Sequence, residues 1–238
     1  MAGDALYLSV VVPVHDEAES LHALHRELDA ALDGISGGVE ILLVDDGSRD
    51  DSLARMRELA AADARVRVLA LDGQHGQSAA LDAGFRAARG TITAMLDADL
   101  QNDPADLPRL LAQLDRADVV GGIRTERRDT WVRKLASRIG NGFRNWVTGE
   151  CVTDVGCSLR VMRTEYLRRV KLFRGLHRFL PTLLRLEGAR VIEVPVSHRD
   201  RRFGLSKYGI LDRLFVGFAD VLAVRWMKSR MLHYRATE

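Results

Sequence analysis

Met95-Leu96-Asp97-Ala98-Asp99-Leu100-Gln101 is the stretch from which the chain is read. The apolar run Thr91 to Leu96 predicts a buried strand that delivers Asp97, Asp99 and Gln101 at alternate positions. If extended geometry continues through them, all three side chains project to one face. Two carboxylates and an amide on one face form a hard oxygen site. Such a site suits Mg2+ or Mn2+ that keeps some ligand positions for water and substrate phosphate oxygens. Helix capping explains Asp103, which precedes Pro104. It does not explain Asp97 and Asp99, where like charges at a strand end repel each other with no capping gain.

Working outward, the chain alternates strands and helices. Tyr7 to Val12, Val39 to Val44, Val66 to Leu71 and Asp118 to Gly122 join Thr91 to Leu96 as apolar, strand-like runs. Helices are expected from about Asp16, with Leu21, Leu24, Leu28 and Leu32 on one stripe, from near Asp50, and from the Gly73 to Gly76 turn to Ala88. A further helix is expected over Pro104 to Leu114. Repeats of this length predict an α/β fold whose mostly parallel sheet carries helices on both faces. Ligands of such sheets bind beyond the carboxyl ends of the strands. Asp16 and Glu17 follow strand one, Asp45 and Asp46 strand two, and Asp97 and Asp99 strand four. Each pair alone could be a helix cap, but three at one sheet end are harder to explain that way. Gly73-Gln74-His75-Gly76-Gln77 matches neither the dinucleotide fingerprint nor the P-loop.

Composition bounds the rest. The chain has 238 residues, 47% of them hydrophobic, enough for one large domain with its own core. Its formal net charge of +2 argues against a nucleic-acid-binding protein. The two cysteines, Cys151 and Cys157, lack zinc-type spacing and read as reduced thiols. The N-terminal residues do not form a secretory signal, and no apolar run reaches the ~18 residues of a membrane span.

The ordered set Val12-Pro13-Val14-His15-Asp16-Glu17, Val44-Asp45-Asp46-Gly47-Ser48 and Asp97-Ala98-Asp99-Leu100-Gln101-Asn102-Asp103-Pro104 resembles the inverting family 2 glycosyltransferases of GT-A fold. It is similar, more narrowly, to the polyprenyl-phosphate glycosyltransferases, the group of dolichol-phosphate mannose synthases and bacterial undecaprenyl-phosphate sugar transferases. The likeness continues through Gly76-Gln77-Ser78, Asp129-Thr130-Trp131, Thr153-Asp154-Val155-Gly156-Cys157 and His198-Arg199 to Ser206-Lys207-Tyr208.

The resemblance implies a nucleotide-sugar donor, GDP- or UDP-linked, and a polyprenyl phosphate acceptor. Pro13, Asp16, Glu17 and Gln77 would lie at the donor, with Asp45 or Asp46 near the base or ribose. Asp97, Asp99 and Gln101 would hold Mg2+ or Mn2+ against the donor diphosphate, Asp99 being the catalytic acid of that set. Arg124, Arg199, Arg202, Ser206 and Lys207 look like the phosphate clamp, the last four in a basic loop that could close as a lid. The acid matching Asp154 lies near the acceptor in the resembling family, where a base role has been considered. A phosphate monoester is already ionised at neutral pH, so positioning should outweigh base catalysis here. A soluble, polysaccharide or lipid hydroxyl acceptor would instead require a true base. A non-catalytic nucleotide-sugar-binding subunit is the third reading, against which the intact Asp97, Asp99 and Gln101 speak.

The expected division is a GT-A domain over residues 1–209 and a C-terminal amphipathic helix and tail over 210–238. The expected location is the cytoplasmic face of a membrane, held peripherally, by a small membrane-anchoring protein, or in a homo-oligomer. A helix over Trp131 to Val147 sets Trp131, Leu135, Ile139, Phe143 and Trp146 apart from Arg133, Lys134, Arg138 and Arg144. That pattern suits a headgroup layer as well as a core, whereas core or partner contact is favoured for Ile210 to Met227. Replacing Trp131 and Trp146 together with Ser is expected to weaken co-sedimentation with anionic liposomes. It should also raise the apparent KM for a lipid acceptor while leaving nucleotide affinity unchanged; unfolding of the variant would show that the two side chains belong to the core.

Overall fold

The computed structural model describes residues 6–124, 142, 145–147, 149, 152–200 and 210–232, without the side chains of 210–216. The strands are β1 (Leu8–Val14), β2 (Val39–Asp45), β3 (Val66–Ala70), β4 (Ile92–Met95), β5 (Val119–Arg124), β6 (Arg160–Arg163) and β7 (Val191–Val196). Among the described residues they form one sheet in the order β3-β2-β1-β4-β6-β5-β7. Only β6 runs against its neighbours, β4 and β5; the other pairings are parallel. The sheet is therefore mostly parallel with a change of order beside β1, where α/β folds open a ligand crevice.

Helices cover both faces because the central strands are apolar on both. Val10, Val12 and Val14 of β1 pack with α1 (Leu21–Leu32) and α2 (Ser52–Ala62), and with α4 (Leu107–Leu111), in one buried cluster. Val11 packs on the other side with α3 (Gln77–Ala87) and α6 (Leu180–Leu186). A one-turn helix, α5 (Thr164–Leu167), follows β6, and α7 (Ile210–Arg230) ends the described chain. Val221 and Val224 of α7 are buried with Val147, Leu176, Phe179 and Leu183, which agrees with core contact for this helix. Phe218, Leu222 and Trp226, at four-residue spacing along α7, remain exposed. Among the described residues no helix is long and apolar enough to cross a membrane.

Several boundaries differ from those expected, for local reasons. The first helix begins at Leu21 rather than near Asp16, because Asp16 adopts φ +53°, a left-handed conformation that no helix continues through. Pro104 to Leu114 becomes a 3-10 turn (Pro104–Asp106) followed by the five-residue α4. Pro104 and Pro108 each remove a backbone donor that a continuous helix would use. Asp103 caps this turn as expected, accepting from the Ala105 N–H at 3.0 Å. Most of the expected Trp131 to Val147 helix lies outside the described residues; Trp146 is 79% exposed and Val147 is buried.

Helix α3 sits close to the sheet through Gly84. A methyl at this position would overlap the Val11 side chain and lie 3.2 Å from Val44 Cγ2. Both valines are fully buried and branched at Cβ, so neither can swing away. Gly84→Ala is expected to lower stability by about 1–3 kcal/mol despite the better helix propensity of alanine. Urea unfolding followed by circular dichroism checks this, and an unchanged or raised midpoint would contradict it.

Candidate active site

The loops leaving β1, β2 and β3 are tied together by acids bonded to backbone N–H groups. Asp16 accepts from Arg49 N at 2.7 Å, and its own N–H donates to Ser48 Oγ at 3.1 Å. Glu17 N–H donates to Ser52 Oγ at 2.8 Å. Asp45 accepts from Ser48 N at 3.2 Å. Asp46, 4% exposed, accepts from His75 N at 2.7 Å and Gly76 N at 2.8 Å. Asp46 thus shapes the glycine-rich turn at the start of α3, a structural task not anticipated for it. His15 Nδ1 lies 2.9 Å from the Asp46 carbonyl and Gln74 Nε2 lies 3.0 Å from His15 Nε2. The ring therefore donates at Nδ1 and accepts at Nε2. Pro13 falls beyond the last β1–β4 pair, Val11↔Met95, so its missing N–H costs no ladder bond.

The acid stretch itself departs from the expected alternation. β4 stops at Met95, and Leu100 adopts φ +62°, so a turn rather than a continued strand presents Asp97, Asp99 and Gln101. Leu100 is fully buried, and that anchorage holds it in a conformation leucine rarely adopts. Gln77 Nε2 donates to Asp97 Oδ1 at 2.7 Å, and Gln101 N donates to Asp99 Oδ1 at 3.1 Å. Gln77 therefore positions an acid in this arrangement. Among the described residues no group of three or more His, Cys, Asp and Glu side chains could hold a metal ion. Asp97 and Asp99 are two carboxylates carried on one turn. That fits an ion such as Mg2+, which takes one or two protein carboxylates and completes its shell with water and substrate phosphate.

Across the sheet, Asp154 and Arg124 engage each other. Arg124 Nε and Nη2 donate to the two Asp154 oxygens at 2.7 and 2.8 Å, and Arg124 N and Gly156 N add bonds of 3.2 and 3.1 Å. A carboxylate gripped by an arginine fork is a poor proton acceptor, so the geometry favours positioning over base chemistry for Asp154. Glu193 of β7 fixes the same turn, accepting from Thr153 N at 2.8 Å and Asp154 N at 3.2 Å. Arg199, expected in the phosphate clamp, is paired with Glu27 at 2.7 Å and with Asp103. Its N–H meets the Gln101 carbonyl at 2.9 Å, so the segment leading to the basic loop lies against the acid turn. Arg202, Ser206 and Lys207 lie outside the described residues.

Two further groups belong to this region: Ser78, inside the Gly76-Gln77-Ser78 likeness but assigned no role from it, and Arg160, which no motif marked. Ser78, beside Gln77, accepts from Gly175 N at 3.0 Å and has its Oγ 2.7 Å from His177 Nδ1. Arg160, 3% exposed, opens β6 at the same sheet edge. Cys157 is a buried free thiol pushed up to about 11 by burial, which rules it out as a nucleophile near neutral pH.

Residues 9–171 match the model of glycosyl transferase family 2. The chain is 41% identical over 207 residues to an undecaprenyl-phosphate 4-deoxy-4-formamido-L-arabinose transferase of Edwardsiella ictaluri, covering 86% of this chain and 64% of that protein. It is 38% identical over 227 residues to the protein of the same name from an Enterobacter species, covering 94% and 69%. The chain thus spans about two-thirds of the length of these relatives. Among solved structures it is similar to glucosyl-3-phosphoglycerate synthase of Mycobacterium tuberculosis in complex with Mn2+, UDP-glucose and phosphoglyceric acid. That likeness has a TM-score of 0.69 at 21% identity and covers 96% of this chain and 81% of the other. It supports the fold expected from the sequence.

The His177 contact carries a pH signature. Burial, with Arg178 and Arg160 nearby, pushes the imidazole down from 6.5 to about 4. Between those values the unfolded chain takes up a proton that the folded chain refuses, so stability is full above the upper value and falls as the pH drops. At pH 5 this amounts to about 2 kcal/mol. His177→Gln is expected to reduce the loss of stability between pH 7 and pH 5 by about that amount. Unfolding titrations of both proteins at the two pH values check this; equal losses would show that His177 is not the titrating group.

Proposed function

Because the chain belongs to glycosyl transferase family 2, we propose that it moves a sugar, with inversion, from a nucleotide donor to a polyprenyl phosphate. The observation that carries this reading is that the Asp97 and Asp99 turn after β4 and the Arg124–Asp154 pair, at the end of β5 and before β6, fall at one edge of the sheet. The names of the two relatives support the acceptor class and make their formamido-arabinose the first donor sugar to test.

Within the proposal each group has a physical task. A divalent cation bound at Asp97 and Asp99 would neutralise charge developing on the leaving nucleoside diphosphate. Gln77 holds Asp97 in place for it, and the Asp16, Asp45 and Asp46 loops frame the nucleotide. Asp154 orients Arg124, whose guanidinium is available to an anionic acceptor within this reading. An ionised phosphate acceptor needs placement and charge complementarity rather than deprotonation, which accords with Asp154 being held by the Arg124 fork. In this reading the acceptor's hydrocarbon tail would bring the reaction to a membrane surface, and a soluble donor nucleotide would favour its cytoplasmic face.

The decisive assay offers a panel of nucleotide sugars and a polyprenyl phosphate, with the product followed by mass. Asp99→Asn should fold and lose ~100-fold or more of the transfer rate, and EDTA should abolish transfer reversibly. Full activity in a chelated, metal-free preparation would remove the cation from the mechanism. Product on a hydroxyl acceptor, with none on polyprenyl phosphate, would refute the acceptor.

A further inference from the structure

β6 lies between β4, which leads into Asp97, and β5, which ends at Arg124; Arg160, its first residue, faces Met95 on one side and Gly121 on the other. Its guanidinium bonds two main-chain carbonyls, Val155 at 3.0 Å and His177 at 3.5 Å. Val155 follows Asp154, the partner of Arg124. The His177 ring holds Ser78, which follows Gln77, the partner of Asp97. One buried side chain is thus tied to both halves of the site. Among the described residues Arg160 forms no ion pair, yet Asp97, Asp154 and Glu193 all act on it electrostatically. Both contacts are to neutral carbonyls, so a residue only 3% exposed carries its charge without a paired carboxylate among the described residues. A buried cation without a paired anion is costly, because burial opposes its charge and a neutral side chain would fill the space more favourably, so its presence here calls for a role.

We propose that Arg160 is the positioning cation of the site: it balances the flanking carboxylates and fixes the spacing between the acid turn at Asp97 and the Arg124–Asp154 pair. The inference rests on the function proposed above. It has a consequence that a scaffold role lacks. A positive charge beside Asp97 opposes a second cation there, so removing it should tighten divalent-ion binding while slowing transfer. A residue that only holds the fold together would, when removed, weaken both.

The test measures binding of Mn2+ alone by electron paramagnetic resonance of the free ion, and separately the transfer rate, for the wild type, Arg160→Gln and Arg160→Lys. Folding is checked by circular dichroism. Arg160→Gln is expected to bind Mn2+ about 3- to 30-fold more tightly and to transfer at least about 10-fold more slowly. Arg160→Lys, which keeps the charge, should bind Mn2+ within about twofold of the wild type. Loss of both Mn2+ affinity and rate in Arg160→Gln, or no change in either, overturns the inference. If Arg160→Gln does not fold, Arg160→Lys decides: an affinity more than about tenfold from the wild type overturns the proposal, and a match supports it. Wild-type protein that binds no Mn2+ at all, with Asp99→Asn indistinguishable from it, refutes the metal reading itself rather than the role of Arg160.

Discussion

The rest of the site depends on holding many carboxylates at one sheet edge without mutual repulsion. Asp16, Asp45, Asp46, Asp97, Asp99, Asp154 and Glu193 all collect there. Backbone N–H groups meet Asp16, Asp45, Asp46, Asp99, Asp154 and Glu193, while a glutamine amide meets Asp97 and an arginine fork meets Asp154. Such bonds to ionised acceptors are short and about twice as strong as neutral ones. They also run between loops: Asp16 to the β2 loop, Asp46 to the β3 loop, Glu193 to the turn before β6. Repulsion that would scatter the loops is thereby turned into the linkage that orders them, and the edge is organised before any ligand arrives.

What the sequence discloses of this follows from what is local. Apolar runs such as Val39 to Val44 mark strands buried on both faces, and acids directly after them fall at the carboxyl edge once the strands are parallel. The fold class and the first five strands were legible on these grounds, and the acids after β1, β2 and β4 do fall at that edge. The details that failed were set by distant contacts. Leu100 is pulled into a left-handed turn by burial, so the strand does not run through Asp97 to Gln101. Arg124 and Asp154, singled out for separate tasks, meet across 30 residues; Ser78 and His177 meet across 99. Arg160 lies just past the Thr153 to Cys157 likeness, in a short strand to which no task was assigned, and the sheet order reveals where it lies.

The single reversed strand explains how both halves share that edge. A parallel strand brings its last residue to the carboxyl side, followed by a free loop; a reversed strand brings its first residue, held in the ladder on both sides. β6 therefore places Arg160 at the edge with its backbone locked to β4 and β5, whereas the acids of the parallel strands sit on turns beyond their ladders. A long cation needs such a base, because its own side chain carries more rotamer freedom than an aspartate and would otherwise pay for order at every turnover. Rigid cation below, tethered acids above: this division lets the acid turn adapt to a ligand while the charge it works against stays where it is.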